Sequence, residues 1–366
     1  MKKVLIVASN LCTGGTEKVI SDIARCADPE KYHIDYLIFS RDPGDYDAEL
    51  LSKGCSISYI PQPAEGYLRY VRRLTCILRE GKYDAVHAQP MFSSGWAMLA
   101  GRIAGTPVRV AHSHGAMPEA QGFIRRLYER FMRRMLLRNA TVLAACGVAA
   151  GNRLFGEENF STRGTLVPNG IDISAHAFDP ALREETRARL GLSDCFVICH
   201  AGHLDNVKNQ AFLIDLMPDL LLRRPDARLI LLGEGRDRDA LAAMAAASPC
   251  ADRISFPGNV EDVAPFLSAA DVFALPSIYE GAPLALLEAQ ANGLPCVISD
   301  GVPSDACLTD LVTSLPLSER EAWADSICGA ARAEPEKYAD IMKSAGAEVT
   351  ETVRAFYRLY DGYDGK

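Results

Sequence analysis

The chain has 366 residues, room for two or three domains at about 150 residues each, and its 48% apolar and 23% charged content is that of a globular protein. A net charge of −8 argues against a nucleic-acid-binding class, which is usually basic. Eleven cysteines without a C-x-x-C pair speak against a zinc ribbon or a disulfide framework and for a reducing cytoplasm.

Met-Lys-Lys-Val-Leu-Ile-Val-Ala-Ser at the start imitates a signal peptide for a few residues, but its apolar run stops at Asn10. It reads as a buried first strand, Val4–Ala8. Thr13-Gly-Gly-Thr-Glu17 follows, ahead of a helix expected to start near Lys18. One glycine suffices for a strand–helix turn; Gly14 and Gly15 together also let backbone approach a phosphate or an acceptor. Further strands are expected at Ile34–Phe39, Ser56–Ile60, Ala85–Ala88, Val108–Ala111, Thr141–Ala145 and Gly164–Val167. Short apolar runs alternating with helical stretches predict a parallel sheet covered on both faces. His87 ends one of these strands and His114, in His112-Ser-His114, ends another.

Phe123–Arg138 carries six arginines and one acid, with Ile124, Leu127, Tyr128, Phe131, Met135 and Leu136 at helical spacing. Two readings stay open: a basic amphipathic helix lying on an anionic membrane, or a surface helix whose apolar stripe faces the core. Uninterrupted apolar stretches stay short of the ~18 residues that span a bilayer.

Pro, Asn and Gly cluster at Pro168–Ile171 and mark a domain boundary. The expected division is 1–170 and 171–344, with about 345–366 packing back onto the first domain. A second series of strands follows at Phe196–Ala201, Ala227–Leu232, Ile254–Pro257, Val272–Leu275 and Pro295–Ser299. Gly202-His-Leu-Asp-Asn-Val-Lys-Asn209 leaves the first of these, Leu231-Leu-Gly-Glu-Gly235 the second and Phe256-Pro-Gly-Asn-Val260 the third. After the fourth comes Glu280-Gly-Ala-Pro-Leu-Ala-Leu-Leu-Glu288, where Pro283 fits the first position of a helix and Glu288 falls about two turns in. A strand, a Gly-containing turn and a helix N-terminus can hold an anion, while two carboxylates can accept from hydroxyls. Phosphate plus polyol describes a nucleotide sugar. One long helix is expected from about Pro335 to Tyr360. Ligands of open α/β sheets bind beyond the carboxyl ends of the strands, so a cleft between two such domains is the expected site.

Pro276-Ser277, Glu280-Gly281, Glu288 and Gly293-Leu-Pro295 together resemble the donor-site motif of retaining GT-B glycosyltransferases. The resemblance is to the large family 4 type that includes bacterial capsule, exopolysaccharide and lipopolysaccharide enzymes. It implies a GT-B α/β fold: two Rossmann-like parallel-sheet domains facing across a cleft. It also implies that Glu288 accepts the ribose hydroxyls, that Glu280 holds sugar hydroxyls, and that Lys208 with the backbone of Gly281, Ala282, Pro283 and Leu284 holds the diphosphate. Gly15 matches the Gly-Gly-x-Glu element, and His114 the histidine that faces the transferred sugar, although Gly115 replaces the usual Asn. His203 stands where the family has Arg. Either a phosphate keeps His203 protonated, or the diphosphate is gripped less strongly. Gly14, His87, Gly233 and Val260 complete the expected cleft. With no metal-ligand cluster in the sequence, no metal and no cofactor are expected, the nucleotide sugar being substrate.

The implied activity is retaining, metal-independent transfer from a UDP-sugar to a saccharide or lipid-linked saccharide acceptor. The implied place is the cytoplasm, peripherally on the inner face of the plasma membrane. Two alternatives share the layout: a nonhydrolysing nucleotide-sugar epimerase, and a catalytically silent partner subunit.

Overall fold

The computed structural model describes residues 1–115, 122–332 and 334–362. The chain divides into two compact units: Met1–Asn169 with the segment from Val349 onward, and Gly170–Glu348. Each is an α/β layer structure around one parallel sheet.

The first sheet contains, among the described residues, β1 (Lys2–Ala8), β2 (Tyr32–Ile38), β3 (Ile57–Tyr59), β4 (Ala85–Ala88), β5 (Val108–Ser113), β6 (Val142–Ala145) and β7 (Gly164–Leu166). Their order is β3-β2-β1-β4-β5-β6-β7, with every pairing parallel. The second contains β8 (Phe196–Ala201), β9 (Ala227–Leu232), β10 (Ile254–Gly258), β11 (Val272–Leu275), β12 (Cys296–Ser299) and β13 (Val312–Leu315). Its order is β10-β9-β8-β11-β12-β13, again all parallel. Strand order reverses beside β1 and β4 in the first sheet and beside β8 and β11 in the second. The loops leaving the carboxyl ends at such a point diverge and open a crevice.

Burial follows the two-residue period of a strand. Phe196, Ile198, Leu229, Leu231, Val272 and Ala274 join one buried cluster of the second unit. Their neighbours Val197, Cys199, Ile230, Leu232, Phe273 and Leu275 join the other. Both faces are therefore covered, which is why these strands read as unbroken apolar runs.

Three expectations are corrected. β13 was not foreseen; its sequence Val-Thr-Ser-Leu lies half-exposed at a sheet edge and lacks an apolar run. The helix after β1 spans Gly15–Arg25, so Gly15 lies inside its first turn rather than ahead of it. The long terminal helix is two, Glu336–Ser344 and Val349–Tyr360, broken where Gly346 takes φ 76°. That left-handed conformation suits glycine at a helix end.

The last helix belongs to the first unit. Tyr357 stacks on Tyr32 at 4.1 Å and donates to Ile23 O at 2.5 Å. Thr352 donates to Pro168 O at 2.8 Å. Phe356 is fully buried against the rings of His87 and His112, at 5.3 and 5.2 Å. Truncating it to alanine is expected to cost the first unit about 3–5 kcal/mol. Trp96 reports the first unit and Trp323 the second, so urea unfolding followed through Trp96 in a Trp323→Phe background measures this directly. An unchanged midpoint would show that the helix does not anchor the sheet.

Candidate functional site

In the second unit, two loops flanking the reversal point are joined. Asp205 Oδ1 accepts from the amides of Val207 and Lys208 at 2.9 and 3.0 Å, a turn that lifts Lys208 out of the loop after β8. Asn209, at φ 56°, reaches Pro276 O at 3.2 Å, and Ile278 N donates to Val207 O at 2.7 Å. The Lys208 ammonium thereby meets Glu280 Oε1 at 2.5 Å. Ser277 donates to the same oxygen at 2.6 Å. Among the described residues Glu280 Oε2 carries no bond, which leaves it able to accept a hydroxyl. The side chains are 21% and 10% exposed, enough shielding for the pair to outweigh a surface salt bridge.

Beneath this pair, His200 Nδ1 lies 2.9 Å from Ala274 O. A carbonyl only accepts, so Nδ1 carries the hydrogen and Nε2 receives the Gln210 amide at 3.1 Å. Gln210 also donates to His203 O at 2.8 Å. Burial pushes His200 down to about 4, so the ring stays neutral. His203 itself is exposed.

Glycine is required where the loops touch. Gly233 has φ 124°, and a Cβ there would lie 2.2 Å from Gly202 O. A Cβ on Gly301 would lie 2.2 Å from Ile278 O, opposite the Glu280 amide that Gly301 O receives at 3.1 Å.

Pro283 caps the helix Leu284–Ala291 in an extended conformation instead of occupying its first turn. Glu288 consequently lies little more than one turn in, not two. It is buried, and its Oε1 faces His176 Nε2 at 3.6 Å, an ion-pair distance too long for a hydrogen bond. Asn292 donates to His176 O at 2.9 Å and so fixes the short helix Ile173–His176. Gly281 and Leu284 are buried, while Val260 packs its side chain against the apolar core. Among the described residues no group of three His, Cys, Asp or Glu side chains could hold a metal ion.

In the first unit Gly14 is extended, φ −174°, so its backbone does not demand glycine. Glu17 curls back towards it, and burial raises the carboxyl's pKa. His114 follows β5, its Nε2 2.5 Å from Gln89 Oε1 and its ring 3.9 Å from His112. Burial lowers His114 to about 4. His87, expected to line the cleft, is fully buried and held by Tyr360 OH at 2.6 Å, so no ligand reaches its ring.

The helix Phe123–Asn139 separates the two readings of its sequence. Met132 and Leu136 are buried, but Ile124 and Phe123 are 83% and 75% exposed, and Leu127 and Phe131 are exposed too. The core-facing stripe is confined to the second half.

Sequence reasoning missed His176, His200, Gln210 and Gln89. All four act through a neighbour, and no spacing marks them; Ser277 lay inside the motif without an assigned role.

Comparison with known proteins decides the family. Residues 195–332 match the Glycosyl transferases group 1 family and residues 14–170 the Glycosyl transferase 4-like domain. The chain is 37% identical over 371 residues to the putative glycosyltransferase EpsF of Bacillus subtilis, covering 98% of this chain and 96% of that one. It belongs to the group 1, family 4 type glycosyltransferases. An Escherichia coli UDP-Gal:alpha-D-GlcNAc-diphosphoundecaprenol alpha-1,3-galactosyltransferase is 28% identical over 63% of this chain and 61% of its own. Anabaena HepE, solved with UDP-glucose, shares the fold at TM-score 0.80 and 21% identity, over 99% of this chain and all of that one. The two parallel-sheet units are thus those of a GT-B glycosyltransferase.

Gly233→Ala is expected to destabilise the second unit by about 1–3 kcal/mol, since the added methyl must displace backbone. Urea unfolding followed through Trp323 in a Trp96→Phe background checks this. An unshifted midpoint would mean that the two loops separate freely.

Proposed function

We propose that this glycosyltransferase retains anomeric configuration, needs no metal, and moves a sugar from UDP to a hydroxyl of a lipid-linked surface-polysaccharide precursor. The observation that carries the reading is the Lys208–Glu280 pair across the strand-order reversal, with Glu288 one turn into the next helix. Bound diphosphate draws the Lys208 ammonium, a compact charge suited to phosphate. The open amides at the start of Leu284–Ala291 add a positive helix end. Glu280, relieved of its lysine, turns both oxygens to the sugar hydroxyls. Glu288 accepts from the ribose hydroxyls, because no described residue donates it a bond of ordinary length.

The sugar C1–O bond to phosphate breaks as C1 bonds to the acceptor oxygen on the same face. The acceptor's proton passes to the departing phosphate oxygen, so no strong protein base is needed. Stabilising the leaving diphosphate by fixed charges is the main catalytic contribution. His114, neutral, sits at the carboxyl edge of the first sheet to meet the transferred sugar. UDP as the carrier is supported by the UDP-Gal and UDP-glucose named for the relatives above, and a lipid-linked acceptor by the diphosphoundecaprenol of the Escherichia coli enzyme.

Calorimetric titration tests the donor site. Glu288→Ala is expected to weaken UDP binding by about 1.5–3 kcal/mol, roughly 10- to 100-fold, with turnover of wild type preserved in EDTA. Unchanged affinity removes Glu288 from the ribose, activity rescued only by Mg²⁺ or Mn²⁺ removes metal independence, and release of a free epimer without acceptor would establish the epimerase.

The exposed half of Phe123–Asn139 supplies the membrane contact, with apolar Phe123, Ile124, Leu127 and Phe131 beside Arg125, Arg126, Arg130 and Arg134. Arg133 is excluded, as its guanidinium holds Leu154 O at 3.0 Å. Binding to anionic vesicles is expected to weaken with salt, whose screening length is ~8 Å at physiological strength. It should be lost when those four arginines become Gln, with UDP affinity intact. Equal sedimentation of both proteins with the vesicles would make the helix an ordinary charged surface.

A further inference from the structure

Four side chains of the first unit form a continuous buried chain behind His114. His114 Nε2 lies 2.5 Å from Gln89 Oε1. Gln89 Nε2 lies 3.0 Å from His87 Nε2. His87 Nδ1 lies 2.6 Å from Tyr360 OH. His112 joins at the side, its Nδ1 3.2 Å from His87 Nε2. His87, Gln89 and His112 are buried, and the rings of His87, His112 and His114 stay neutral, His87 at about 3 and His112 well below its ordinary range, because burial disfavours the charged form. Three neutral imidazoles leave only the choice of tautomers and of the Gln89 amide orientation.

Two assignments satisfy the contacts. In the first, His114 Nε2–H donates to Gln89 Oε1, the Gln89 amide donates to His87 Nε2, and His87 Nδ1–H donates to Tyr360. His112 Nδ1–H then shares His87 Nε2. This leaves the lone pairs of His112 Nε2 and His114 Nδ1, which have no partner among the described residues, and one rotatable hydroxyl hydrogen. In the second, the amide is turned over and every ring hydrogen moves to the other nitrogen. That strands two ring N–H groups at the same two atoms. A buried N–H without a partner is rarer and costlier than an unused lone pair. The first assignment is the stable one.

We infer that Gln89 is a positioning residue for His114, fixing the ring and its Nε2–H tautomer at the carboxyl edge of the first sheet. Gln89 is itself oriented by His87, and His87 by Tyr360 of the terminal helix. Any part His114 plays in the reaction rests on the function proposed above; the tautomer does not.

Nitrogen-15 spectra of the histidine rings in the whole protein test the two separately, with the His114 signals identified by their loss in His114→Gln. Wild type is expected to show His114 with hydrogen on Nε2. Gln89→Leu removes the acceptor and should turn the His114 signals into a mixture of tautomers. Gln89→Glu keeps an acceptor oxygen and should restore the Nε2–H form, so a Leu variant that melts early does not end the test. Turnover should fall by roughly 10- to 100-fold in the Leu variant and recover in the Glu variant. An Nδ1–H tautomer in wild type, or identical His114 signals in wild type and a folded Gln89→Leu, overturns the inference. A mixed tautomer with unchanged turnover upholds it and withdraws His114 from the chemistry.

Discussion

The proposed chemistry hangs on the parallel pairing of both sheets. Parallel strands need a crossover between each pair, and the crossovers cover both faces, so the only irregular backbone that can meet a ligand lies at the strand ends. All carboxyl ends of one sheet lie along one edge. Reversal of strand order then parts two neighbouring loops there, after β8 and β11 in the second unit. Lys208 and Glu280 come from those two loops, seventy-two positions apart, and their ion pair closes the gap. Their encounter follows from topology, and topology from the burial of both faces.

Positioning in this protein is done from below. His200 and Gln210 hold the loop that carries Lys208, His176 faces Glu288, and Gln89 holds His114. Each supporting ring is buried, and for His200 and His114 burial also keeps the ring neutral. A neutral ring both donates and accepts, so it can transmit orientation through a chain of hydrogen bonds. A charged one would donate at both nitrogens and break the chain.

Fold and family were legible in the sequence because both are written in local patterns. Unbroken apolar runs mark doubly covered strands, and a run of fixed spacings between Pro276 and Pro295 marks the family. β13 was invisible because a half-exposed edge strand has no apolar run. The break at Gly346 was hidden because a glycine amid helix-compatible residues does not announce a left-handed turn. The supporting residues escaped for a different reason. Gln89 and His114 are neighbours only through the pairing of β4 with β5, and His176 reaches Glu288 from 112 positions away, so no window of sequence contains both partners.

The second unit is one uninterrupted stretch, Gly170–Glu348, whereas the first is completed only by Val349–Tyr360. During synthesis the ribosome therefore delivers the second unit whole while the earlier unit still waits for its last helix. Until that helix arrives, the pocket filled by Phe356 is empty, and the ring of His87 has no hydroxyl to face. Domains generally fold in the order they emerge, but here the N-terminal one finishes last. His114 is therefore held in its full network only once Val349–Tyr360 has been made.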